Sequence, residues 1–115
     1  MISSKKTKTP YVWGAKCKGW HLLNTKNLSV IQEIMPPGTE EALHQHIKAQ
    51  QFFYVLKGRA TFKIDHNIIV LAPGEGLHIE VGSIHKIKNE ENTDLEFLVI
   101  SQPHAHDDRI NIASE

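Results

Sequence analysis

Gly38-Thr39-Glu40-Glu41-Ala42-Leu43-His44-Gln45-His46-Ile47-Lys48-Ala49-Gln50-Gln51-Phe52-Phe53-Tyr54-Val55-Leu56-Lys57-Gly58 is the stretch on which the fold is read. His44 and His46 stand two residues apart in a segment with strand character. Period-two geometry turns both rings to one face, a spacing that suits two imidazoles on one small cation. Gln51 follows five residues after His46. Strict alternation would turn it to the other face, so a loop or bulge is expected between them. Lys57-Gly58 closes the stretch and reads as a tight hairpin, where glycine supplies a positive φ.

Outward from this stretch, strand signals dominate. Apolar and polar residues alternate, and β-branched and aromatic types are frequent. Strands are expected near Tyr11–Trp13, Trp20–Leu23, Ser29–Met35, Ala42–His46 and Gln51–Leu56. Others fall near Arg59–Ile64, Ile68–Leu71, Leu77–Ile79, His85–Ile87 and Leu95–Ser101. Pro36-Pro37-Gly38 and Pro73-Gly74 punctuate them, and Asp65-His66-Asn67 reads as a hairpin tip. No long window has helical periodicity. Many short strands at close spacing predict an all-β sandwich or barrel of the jelly-roll kind. In Arg59–Ile64 the alternation places Ala60, Phe62 and Ile64 in the core and Arg59, Thr61 and Lys63 toward water. Leu95–Ser101 is apolar on both faces, so a second cover is expected there, such as a partner subunit met with Tyr11, Trp13 and Trp20.

The chain has 115 residues, room for one domain with one core. Residues 1–9 read as a solvated N-terminal tail, 10–102 as the barrel and 103–115 as a C-terminal tail. Lysine plus arginine equals aspartate plus glutamate at 13 each, a balance that argues against nucleic acid or membrane partners. Cys17 is the single cysteine and is expected to be a small buried apolar group. A lone cysteine and the lack of any signal-like or spanning apolar run favour the cytoplasm. Eight histidines exceed what packing needs.

Two spaced patterns carry a family resemblance. In the first, Gly38, five residues, His44-Gln45-His46, four residues, Gln51, six residues and Gly58 follow one another. In the second, Gly74, five residues, Glu80, Val81, Gly82, two residues, His85, three residues and Asn89 follow. Together they resemble the two motifs of the cupins, with Gln51 in place of a glutamate and Glu80 in place of a proline. The Tyr-Val-Trp-Gly start and the Ser-Gln-Pro near the end resemble the small stand-alone members. The resemblance implies a double-stranded β-helix, or jelly-roll, barrel in a single domain. It also implies one divalent transition metal ion inside it, held by His44, His46, Gln51 and His85, and frequent homodimers.

Glutamine is a neutral oxygen donor, so the site would keep the full charge of the ion. That should polarise a bound water or carbonyl more strongly and disfavour a trivalent state. The expectation is therefore Lewis-acid catalysis, by isomerisation, hydrolysis or ring opening, on a small carbonyl or sugar-like substrate. Cupins that open unsaturated uronate sugars are similar in having three histidines and a glutamine. A metal-dependent dioxygenase and a non-catalytic small-molecule binding module are the alternatives. Zinc, nickel, manganese and iron all accept such a shell. Phe53 and Val55 share the face of Gln51 and are expected either on an apolar pocket wall or in the ordinary core. No catalytic acid or base stands out; Glu33, His78 and Glu80 are candidates. His104 and His106 form a second His-x-His, read as part of a solvated tail. Arg109 is expected either to pair with Asp107 and Asp108 or to reach the pocket entrance.

Overall fold

A computed structural model describes residues 1–105 and 107–113. All of its regular elements are strands. They are β1 (Tyr11–Trp13), β2 (Cys17–Asn24), β3 (Ser29–Met35), β4 (His44–His46), β5 (Gln50–Lys57) and β6 (Ala60–Ile64). The remainder are β7 (Asn67–Leu71), β8 (Gly76–Ile79), β9 (His85–Lys88), β10 (Leu95–Gln102) and β11 (Arg109–Asn111). They form two antiparallel sheets, ordered β1-β2-β3-β10-β5-β8 and β11-β4-β9-β6-β7. The alternation of strands between the sheets is that of a double-stranded β-helix, the jelly roll expected from the sequence.

The core lies between the sheets. The inner row of β10, Leu95, Phe97, Val99 and Ser101, stands opposite Met35, Glu33, Ile31 and Ser29 of β3. On its other side Phe97, Val99 and Ser101 face Val55, Phe53 and Gln51 of β5. Phe62, Ala60 and Ile87 close the core from the second sheet. Cys17 is buried in the same cluster, as expected for a small apolar group. Apolar side chains fill one end of this space, and polar ones line the other.

Several local expectations are corrected. Lys57-Gly58 is not a hairpin, because β5 and β6 belong to different sheets. It is a corner, with Gly58 at φ +80° pressed against the backbone of Asp94. The hairpin at Asp65-His66 does form, joining β6 to β7, with both residues at positive φ. Thr61 does not face water: it is buried between Val70 and Lys88, since β6 is flanked on both sides. Asn89, at the end of the second motif, is buried. Its amide donates to the carbonyls of Met35 and Thr93, and its oxygen accepts from the Glu91 N–H.

The two segments read as tails also make defined contacts. Lys5 Nζ lies 2.7 Å from Glu96 Oε2 and 5.6 Å from the Trp20 ring centroid. That cover on the outer face of the larger sheet comes from the chain itself. At the other end, β11 pairs with β4, placing Arg109 opposite His46 and Asn111 opposite His44. Tyr11 and Trp13 line the wall of a cavity.

Candidate metal centre

His44 and His46 occupy the inward positions of β4, and His85 begins β9 directly across from His44. Two neighbouring strands therefore bring the three rings together. All three are buried, and each offers a nitrogen within 4.8 Å of the others. Ring centroids are 4.3 Å apart for His44 and His85, and 5.0 Å for His44 and His46. Gln51 comes from the opposite sheet. It is the inward residue of β5 facing Ser101, and its Nε2 donates to Ser101 Oγ at 3.0 Å. The break in alternation expected between His46 and Gln51 is thus a crossing from one sheet to the other.

Hydrogen bonds fix which atoms remain available. The Nδ1 atoms of His44 and His85 bond to the carbonyls of Ala42 and Ser83, at 2.8 and 2.9 Å. Ligation through Nε2 is left open on both rings, the arrangement in which a bonded Nδ1 sets tautomer and ring orientation. Among the described residues, His85 Nε2 and Gln51 Oε1 are buried without a hydrogen-bond partner. Each such atom costs about 1–3 kcal/mol unless something satisfies it. A divalent cation would do so, and the residues present fit one.

The electrostatics agree. Burial, followed by the charge of His85, pushes His44 down to about 3 and His46 down to about 4. Burial also lowers His85. All three are neutral at neutral pH, the form in which imidazole binds metal.

His44, His46 and Gln51 line a cavity of about 410 Å³, with His85 buried behind them. Trp13, Ile31, Phe53 and Val99 give it an apolar wall; Tyr11, Glu33, Glu41 and Arg109 give it polar groups. Val55 lies deeper, in the core. Burial and then the nearby Glu41 charge push Glu33 up to about 8. Tyr11 Oη donates to Glu33 Oε2 across a long 3.4 Å, and burial raises the phenol above its usual range. Burial pushes Glu41 up to about 7, against the lowering effect of Arg109 and the Ile87 N–H. Arg109 Nη1 stands 3.9 Å from Glu41 Oε2, so its guanidinium reaches the cavity.

Of the candidate acids and bases, only Glu33 lies at the cavity. His78 is on the outside of the barrel, bonded to Gln50 Oε1, and Glu80 is exposed. His106 lies outside the described residues. Glu41 is not singled out by the sequence, and Tyr11 and Asp108 are read there only as a covering residue and as a partner of Arg109, not as part of the site. Asp108 accepts hydrogen bonds from the N–H groups of Ile47, Lys48 and Ala49. Burial alone would raise its carboxyl; these donors outweigh burial and hold it below the usual range.

Residues 31–101 match the model of the cupin domain. This chain is a cupin. It is 31% identical over 81 residues to an uncharacterised protein of Methanocaldococcus jannaschii, covering 70% of this chain and 65% of that one. It is 33% identical over 66 residues to the oxalate-binding protein of Thermotoga maritima, covering 57% of this chain and 54% of that one. The chain thus spans less than two thirds of each of these relatives. Its fold is similar to the crystal structure of a predicted oxalate decarboxylase from Thermotoga maritima. The TM-score is 0.84 at 25% identity, over 90% of this cupin and 100% of that chain. Among the described residues of this cupin, no helix is long and apolar enough to cross a membrane.

Proposed function

We propose that this cupin is a metal-dependent enzyme acting by Lewis-acid catalysis on a small, oxygen-rich carbonyl or sugar-like substrate, through isomerisation, hydrolysis or ring opening. His44, His46, Gln51 and His85 would hold one divalent transition ion: zinc, nickel, manganese or iron. When bound, that ion would supply positive charge to polarise a carbonyl or hydroxyl oxygen. The observation that carries the reading is the donor set. Three neutral imidazoles and one amide oxygen leave the charge of the ion uncompensated at the end of a cavity.

The chain's own residues supply the rest. Trp13, Ile31, Phe53 and Val99 exclude water from one side of a bound substrate. Glu33 holds its proton on Oε near neutral pH and can donate it or take it back. Tyr11 Oη orients that carboxyl, and Arg109 offers a cation to an acidic substrate group. A homodimer belongs to the same proposal; the exposed Phe52, Tyr54 and Leu56 on the outer face of β5 support it.

The relative described as an oxalate-binding protein favours a second reading, a binding module without turnover. One experiment separates the readings. The cupin is loaded with zinc, manganese or iron and offered a panel of uronates, sugar acids and oxalate, with and without oxygen. Turnover by the zinc form under anaerobic conditions is expected. Turnover confined to iron or manganese with oxygen uptake would replace the proposal with an oxygenase. Binding without turnover under every metal would replace it with the binding module.

A further inference from the structure

We propose that Asp108 is a positioning residue for the metal centre, its carboxylate fixing the loop that carries the chain from His46 to Gln51. The inference rests on the reading of His44, His46, Gln51 and His85 as ligands. Two of those ligands come from opposite sheets, and only Ile47 to Gln50 separate them. The loop's first three N–H groups turn to Asp108. Ile47 donates to Oδ1 at 3.1 Å, Lys48 to both oxygens at 3.0 and 2.8 Å, and Ala49 to Oδ2 at 2.8 Å. A carboxylate that receives three successive N–H groups holds their backbone in one conformation, as an anion in a nest does.

The same carboxylate faces a ligand ring. Oδ2 lies 4.0 Å from His46 Nδ1, a buried nitrogen without a hydrogen bond among the described residues. A ring that binds metal through Nε2 carries its proton on Nδ1, and a carboxylate on that side orients the ring and raises its basicity. The next residue, Arg109, is in register with His46, so the pairing of β11 with β4 places Asp108 where both tasks are possible. Control over two ligands therefore lies beyond residues 31–101, which match the cupin domain.

Cobalt(II) titration of the full chain tests this, read as a dissociation constant and as the visible spectrum of the bound ion. Parent, Asp108→Ala, Asp108→Asn and His85→Ala are compared, with far-UV circular dichroism to establish folding. Asp108→Ala is expected to bind cobalt about 10–100-fold more weakly, with an altered spectrum. Asp108→Asn should show the same loss, because its amide NH₂ sets a donor against the loop N–H groups. It decides the matter if the alanine variant does not fold. Folded Asp108 variants that bind within about twofold of the parent, with an unchanged spectrum, would overturn the positioning role while His85→Ala still loses binding. A parent that binds no cobalt, or a His85→Ala variant that binds like the parent, would overturn the ligand reading and this proposal with it.

Discussion

At the residue scale, the centre is a set of polar side chains that the fold buries without giving all of them partners. Glu33 is a further polar group at the cavity, partly buried and bonded by Tyr11 Oη. It sits in the inner row of β3 between Ile31 and Met35. Its folded value of about 8 lies above the ordinary 4.5, chiefly through burial. The unfolded chain therefore releases the Glu33 proton at lower pH than the folded chain does. Stability from this group is fully present below about 4.5 and is lost as pH rises to about 8. Glu33→Gln does not titrate. In metal-free protein its stability relative to the parent should rise between those limits, with a slope approaching about 1 kcal/mol per pH unit. Urea unfolding at pH 5, 6, 7 and 8 measures this; a difference independent of pH would place Glu33 in solvent. The three histidines were legible in the sequence because period two and motif spacing report directly on side-chain direction. A carboxylate on the apolar row of β3 was also a readable signal. Tyr11 and Glu41 were not, because nothing local says that β1 folds over the cavity or that Arg109 meets Glu41.

At the element scale, the strands follow from alternation, whereas their assignment to sheets does not. Alternation gives each strand two faces but leaves open which neighbour it pairs with. That is why Lys57-Gly58 read as a hairpin and is a corner between sheets. The corner depends on glycine twice over. Its φ of +80° is costly for other residues, and a Cβ there would stand 2.6 Å from Asp94 O. Gly58→Ala should therefore destabilise by about 2–4 kcal/mol. Gly38→Ala is the control, since Gly38 has φ +77° with nothing within 4 Å of the added Cβ. It should lose only about 1–2 kcal/mol. Equal shifts in urea midpoint for the two variants would remove the Asp94 contact from the account. β11 escaped sequence reading for a related reason. Arg109, Ile110 and Asn111 are all exposed, so no buried face marks them as a strand; edge pairing with β4 does.

At the scale of the whole molecule, the two sheets divide the work. The smaller sheet carries the three imidazoles, the larger carries Gln51 and Glu33, and the cavity opens between them. The outer face of the larger sheet is only partly covered by the N-terminal segment through Lys5, and Phe52, Tyr54 and Leu56 remain exposed. If this face joins two copies, sedimentation should show a dimer. Phe52→Glu with Tyr54→Glu should then give a monomer whose metal content is unchanged, because neither side chain reaches the cavity. A parent that sediments as a monomer would contradict the dimer and leave the metal centre untouched. The centre itself is decided by elemental analysis of protein purified without chelator, parent beside His85→Ala. The account predicts about one divalent transition ion per parent chain and far less in the variant. A metal-free parent, or equal metal in the two proteins, would contradict it.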